Sequence, residues 1–269
     1  MATLSACFMR RWTWESGMLI RSILVPLYGK DEDATTLAAA ADIALPMRAH
    51  VMALFCESDI TEVLEPVPGW EASAALPDSF AQSFHDRAEA QRKAAERRFS
   101  EWLARSGMQI ASSPAGQEAA TAELVIANGR LADVIRDYAV VADLVVMPIG
   151  KRADSRRFGM LEAALFDCGR PVLGVPPAAS GTIFRAPVAI AWNYSAEAAR
   201  ALNAALPVIA RVGEAVVLLA GHHEDEAAAR RVVSYLGWHG VKASVLKLDL
   251  SGPPAELIAA KARELGAGL

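Results

Sequence analysis

Short apolar runs rich in Val, Ile and Leu alternate along the chain with longer stretches whose apolar residues recur at helical spacing. Ile23-Leu-Val-Pro-Leu27 reads as a first strand, Tyr28-Gly-Lys-Asp-Glu-Asp33 as the turn after it, and the Ala-rich stretch 35–45 as a helix. Acidic residues at that helix start complement its dipole. His50-Val-Met-Ala-Leu-Phe55 is a second strand, and a βαβ unit of this size implies a parallel pair with a right-handed crossover. Pro66, Pro68, Gly69 and Pro77 mark residues 63–78 as an irregular insert.

Phe80, Phe84, Ala88, Ala95, Phe99, Trp102 and Leu103 then recur with helical period, with Arg and Glu between them, and predict a core-facing stripe. Residues 120–126 read as a third strand, Gly129 opens a helix to about Val140, and residues 143–147 form a fourth strand. A short helix over 160–168 and the strand Pro171-Val-Leu-Gly-Val175 follow. Pro176, Pro177 and Ser180-Gly181 make a linker.

The pattern then restarts. Val188-Ala-Ile-Ala-Trp-Asn-Tyr-Ser195 repeats the role of residues 23–30, and an unbroken offset of 165 carries Val51 onto Val216 and Leu54 onto Leu219. A repeat of domain size means duplication rather than a solenoid. A helix over 227–236, a strand over 243–248 and a helix opened by Pro254-Ala-Glu-Leu-Ile258 continue it. Gly266-Ala-Gly-Leu269 then stands about where Val141-Ala-Asp-Leu144 stood. The expected architecture is α/β: a doubly wound parallel sheet in tandem repeat, with the C-terminal copy incomplete. Its divisions are a disordered leader or start-site artefact over 1–17, a first domain over 18–177, a linker over 178–186 and a truncated second domain over 187–269. Such a truncation leaves the edge of the second copy's first strand unpaired, which calls for a covering partner surface or a weaker C-terminal half.

Composition supports this architecture and narrows the function. A hydrophobic fraction of 53% offsets chain entropy and excludes a disordered chain. A net charge of −4 argues against a general nucleic-acid binder, which needs a basic surface. Cys7, Cys56 and Cys168 are widely spaced, so neither a zinc site nor a disulfide framework is indicated and a reducing cytoplasm is the expected compartment. No apolar run approaches the ~20 residues of a spanning helix.

Candidate chemistry concentrates after the fourth strand, where Asp143-Leu-Val-Val-Met-Pro-Ile-Gly150 gives way to a loop carrying Lys151, Arg152, Arg156 and Arg157 before Gly159. Strand carboxyl ends and helix amino ends converge at such a point, so N–H groups and the cations favour an anion. A solvated basic loop reads equally well. Tyr28 either stacks on a base or covers the strand end, and Asn193 and Ser195 either meet a ribose or cap the helix that follows. His222-His223-Glu224-Asp225-Glu226 reads as an acidic helix start rather than a metal site. His50 and His239 read as structural, and Cys168 as a buried thiol. No Walker loop, Gly-x-Ser-x-Gly elbow or His-Glu-x-x-His is present, and nothing in the sequence places a nucleophile beside a base.

Several stretches together resemble the universal stress protein family in its tandem two-domain form: Ile23-Leu-Val-Pro with Gly29, Ala142-Asp-Leu-Val-Val-Met147, Gly169-Arg-Pro-Val-Leu-Gly-Val-Pro176, Ala191-Trp-Asn with Ser195, and Ala262-Arg-Glu-Leu-Gly-Ala267. The resemblance covers nearly all of residues 18–269. It implies a Rossmann-like domain with a five-stranded parallel sheet, homodimerisation often through the last strand, and adenine-nucleotide binding in some members. Nucleotide-binding members carry an Asp after the first strand and a Gly-x2-Gly-x9-Gly-Ser/Thr loop after the fourth. Here Tyr28 and Asn193 take the Asp position, eight residues separate Gly150 from Gly159, Met160 replaces the Ser or Thr, and Pro148 has no N–H to give.

The resemblance therefore implies a cytoplasmic, non-enzymatic stress-response protein acting through dimerisation or partner contact, with a degenerate nucleotide site. An alternative is an ATP sensor that uses loop 147–160, through Tyr28, Gly29, Gly150, Lys151, Arg152, Gly159 and Met160. A slow nucleotide hydrolase is a third reading, and it lacks a water-positioning base. No metal, nucleic-acid or membrane partner is expected.

Overall fold

The computed structural model describes residues 20–57, 78–114, 118–149, 155–177, 182, 184–220, 226–248 and 252–269. The leader over 1–17, the insert up to residue 77, loop residues 150–154, linker residues 178–181 and the segment His222 to Asp225 lie outside the described residues. The chain divides into two compact units, residues 20–183 and residues 184–269.

In the first unit the order is β1 (Ser22–Leu27), α1 (Glu32–Met47), β2 (His50–Glu57), α2 (Asp78–Ser106), β3 (Gln109–Ile110), β4 (Thr121–Asn128), α3 (Leu131–Ala139), β5 (Leu144–Pro148), α4 (Ser155–Glu162) and β6 (Val172–Val175). Its strands form one parallel sheet in the order β3-β4-β2-β1-β5-β6. Helix α1 packs against β1 and β5, and α2 against β2 and β4. Coverage on both faces is why Leu144 to Pro148 are all buried and why the central strands read as unbroken apolar runs.

Three details differ from the sequence reading. The sheet has a sixth strand, β3, whose two exposed residues are too few to show a period. Gly129 (φ 143°) stands ahead of α3 rather than inside it, in a conformation open to glycine. Helix α4 starts at Ser155, earlier than residue 160, and runs on into a π turn at Ala163–Asp167, so Gly159 lies within the helix.

The second unit holds β7 (Val188–Trp192), α5 (Ala196–Val212), β8 (Glu214–Ala220), α6 (Glu226–Trp238), β9 (Lys242–Leu248) and α7 (Pro254–Glu264), with a parallel sheet in the order β7-β8-β9. This smaller sheet fits a partial copy of the first. The offset of 165 holds from β1 to the left-handed residues that end the helices, Arg48 (φ 52°) and Gly213 (φ 78°). It fails one residue later. Ile23 pairs with Val51, whereas Val188 pairs with Ala215, so β8 is offset by 164 and Val51 corresponds to Ala215 rather than to Val216. The second unit has one residue fewer between helix and strand. An uncorrected offset would turn every β8 side chain to the opposite face. Burial agrees with the shorter connection, since half-buried Met52 then matches half-buried Val216.

Asp143 N donates to Ser22 O in the first unit, and Gly268 N donates to Pro187 O in the second, where Leu269 packs against the core as its counterpart Leu144 does. Ala189 N also donates to Leu269 O, so alternate residues of β7 face the sheet edge. Amide hydrogen exchange at Ala191, on that edge, is expected to be orders of magnitude faster than at Val217 in central β8. Equal protection in an NMR exchange series would show that this edge is covered.

Candidate functional site

In an open parallel sheet the ligand crevice forms at the carboxyl ends of the strands, where crossovers leave in opposite directions. Here that point lies between β1 and β5, which brings Tyr28 and Gly29 near Pro148 and Ile149. Backbone N–H groups of the loop after β1 are the natural anion donors at this position.

Those donors already have an acceptor. Asp33, in the first turn of α1, is fully buried, and its carboxylate accepts from Tyr28 N at 3.0 Å and Lys30 N at 3.1 Å. Burial pushes this carboxyl above its ordinary value, ahead of the N–H groups of Tyr28, Lys30 and Gly29 and the charge of Arg98, which all act to lower it. An internal carboxylate thus occupies the place where an external anion would collect N–H groups.

Apolar side chains fill the adjoining space. Tyr28, 7% exposed, shares one buried cluster with Met147 and Met160, together with Leu54, Leu131 and Ile135. Met160, where a Ser or Thr would meet phosphate, is 2% exposed. On the other side α2 closes against the loop. A Cβ on Gly29 would lie 2.8 Å from the carbonyl carbon and Cα of Gln91, and closer still to its oxygen. Arg98 of the same helix donates to Gly29 O at 3.2 Å and pairs with Asp31 at 2.5 Å.

Of the residues expected to form this site, Tyr28, Gly29, Gly159 and Met160 fall within the described part of the first unit. Gly150, Lys151 and Arg152 lie outside the described residues, and Arg156 and Arg157 are placed only as turns of α4. In the second unit Asn193 Oδ1 accepts from Ser195 N at 3.1 Å and Ser195 Oγ accepts from Ala198 N at 3.1 Å. Both side chains therefore serve the start of α5, the capping role open to them from the sequence. Tyr194 takes φ 61°, matching Gly29 at φ 67° one repeat earlier.

Elsewhere, Cys168 is buried and its thiol donates to Ala163 O at 3.2 Å. Burial pushes that thiol up, aided by Asp167 and opposed by Arg136, which leaves little of the reactive thiolate. Among the described residues no group of three His, Cys, Asp or Glu could hold a metal ion, and no helix is long and apolar enough to cross a membrane.

Two groupings escape the sequence reading. Asp33 looks like one of several acidic residues at a helix start, and only the loop conformation gives it two backbone partners. His50 stands between Thr121 and Glu123, within hydrogen-bonding distance of both. The structure therefore does place a hydroxyl beside a base. Residue 50 is separated from 121 by 71 positions, and only the pairing of β2 with β4 joins them.

No family model matches the chain, and no curated protein matches it. Among solved structures it is similar to a universal stress protein from Archaeoglobus fulgidus DSM 4304, at 19% identity over 91% of this chain and 84% of that one, with a TM-score of 0.62. A putative universal stress protein from Pseudomonas aeruginosa UCBPP-PA14 matches at 14% identity over 92% and 80% of the two chains, with a TM-score of 0.49. A universal stress protein from Lactobacillus plantarum matches at 18% identity over 59% and 99%, with a TM-score of 0.41. The first of these, which spans both units, shows that the chain has the fold of universal stress proteins.

Proposed function

We propose that this protein is of universal stress type, that it acts through dimerisation or contact with a partner rather than by chemistry at the β1–β5 crevice, and that its adenine-nucleotide site is degenerate. The observation that carries this reading is the Asp33 carboxylate on the N–H groups of Tyr28 and Lys30. Two buried residues support it, since Tyr28 and Met160 join the apolar core at the positions where nucleotide-binding relatives carry Asp and Ser or Thr. Self-association is supported by β6, an outer strand of the six-stranded sheet whose Val172, Leu173 and Gly174 are half-buried. The thiols of Cys56 and Cys168, buried and outside any disulfide, suit a cytoplasmic setting.

Equilibrium dialysis of labelled ATP against the full chain, with and without magnesium, tests the nucleotide part. The expected result is no saturable binding at millimolar nucleotide. Saturable binding that is lost in Gly150→Asp or Arg152→Ala would instead make the loop after β5 a nucleotide sensor. Sedimentation velocity tests the other part, and a monomer at every accessible concentration removes self-association from the proposal.

A further inference from the structure

At the amino ends of the strands, opposite the crevice, parallel pairing lines up a row of polar residues. Gln109 pairs with Thr121, Thr121 with His50, and His50 with Ser22, so the row crosses β3, β4, β2 and β1. Residues paired in register project from the same face, about 4.8 Å apart. Glu123 lies two residues beyond Thr121 and returns to that face.

Within the row His50 Nδ1 is 2.9 Å from Thr121 Oγ1, and His50 Nε2 is 3.3 Å from Glu123 Oε1. Glu123 can only accept when ionised, so the network assigns the imidazole proton to Nε2. Nδ1 then presents its lone pair, and the Thr121 hydroxyl donates to it. A hydroxyl, a base and a carboxylate stand in the order that activates a nucleophile. The ring is used in the opposite sense from the serine-protease arrangement, with Nδ1 rather than Nε2 toward the hydroxyl. The side chains of His50 and Glu123 are 27% and 19% exposed, so the group is half-buried yet open to a small reagent.

The geometry points to Thr121 as an acyl-accepting nucleophile, with His50 as its general base and Glu123 as the positioning residue, acting on small activated esters. In the step, Thr121 Oγ1 bonds to the acyl carbon and the bond from that carbon to the leaving oxygen breaks. The hydroxyl proton passes to His50 Nδ1 and then to the leaving oxygen. Water then cleaves the ester, returning the hydroxyl and releasing the carboxylic acid. This centre lies roughly 20 Å along β2 from the crevice, and it is independent of any nucleotide there.

The test is incubation of the full chain with p-nitrophenyl acetate, following phenolate release and mapping the acetyl group by peptide mass spectrometry. The expected result is acetylation at Thr121, abolished in Thr121→Val and slowed by about 100-fold or more in His50→Gln. Thr121→Ser keeps the hydroxyl and is expected to react at least as fast, which guards against a merely unfolded variant. Glu123→Gln is expected to slow labelling of Thr121, with partial recovery in Glu123→Asp. Acetyl groups confined to lysine or tyrosine, or equal labelling of Thr121 in His50→Gln, would overturn the assignment.

Discussion

Replacing Asp33 by Ala is expected to destabilise the first unit by about 2–3 kcal/mol, because one buried N–H group and one part-buried N–H group lose their acceptor together at ~1–3 kcal/mol each, the part-buried one at the lower end. The donors are Tyr28, which is buried and cannot recruit water readily where Asp33 itself has no exposure, and the part-buried Lys30. The loss should depend on pH with a definite sign. Burial raises the native carboxyl pKa above the unfolded value, so the folded state binds the proton more tightly than the unfolded chain does. The stability contributed by Asp33 is then complete below an unfolded pKa of about 3.9 and is lost as pH rises through the native one. Urea denaturation of wild type and Asp33→Ala at acid and at neutral pH reads this directly, and the gap between the two proteins should be larger on the acid side. A gap that widens toward neutral pH would mean that the N–H groups and Arg98 outweigh burial.

The same residue shows where sequence reading stops. Strands and helices are legible because the central parallel strands are covered on both faces and must be apolar, as in Ile23-Leu-Val-Pro-Leu27 and Asp143-Leu-Val-Val-Met147. The duplication is legible because its signal extends over a whole βαβ unit. One missing residue after Gly213 is not, because Val216 and Val217 are equally apolar and hydrophobicity alone cannot set a register between them. Departures at Tyr28, Pro148 and Met160 can be named from the sequence. That Tyr28 and Met160 share a cluster depends on how α4 returns over the sheet. His50, Thr121 and Glu123 are invisible for a related reason, since strand order places β4 beside β2 with a helix and another strand between them in the chain.

Gly29→Ala is expected to cost about 3–5 kcal/mol, well above the ~1–2 kcal/mol of a left-handed residue carrying a Cβ. The repeat itself separates the two contributions. Tyr194 occupies the corresponding left-handed position in the second unit, so a side chain is compatible with that backbone. What differs at Gly29 is the backbone of Gln91, which a new Cβ would meet at 2.8 Å at the carbonyl carbon and Cα. Helix backbone cannot yield as a side-chain tip can. Either α2 shifts away, breaking the Arg98 bond to Gly29 O and its pair with Asp31, or the loop moves and takes the N–H groups off Asp33. Gly107 supplies the control, since it has φ 72° with nothing within 4 Å of its would-be Cβ, so Gly107→Ala should show the left-handed cost alone. Thermal melts of the two variants side by side decide the matter. If both lose the same stability, the close approach of α2 to the loop contributes nothing, and the closed crevice must be attributed to Tyr28 and Met160 instead.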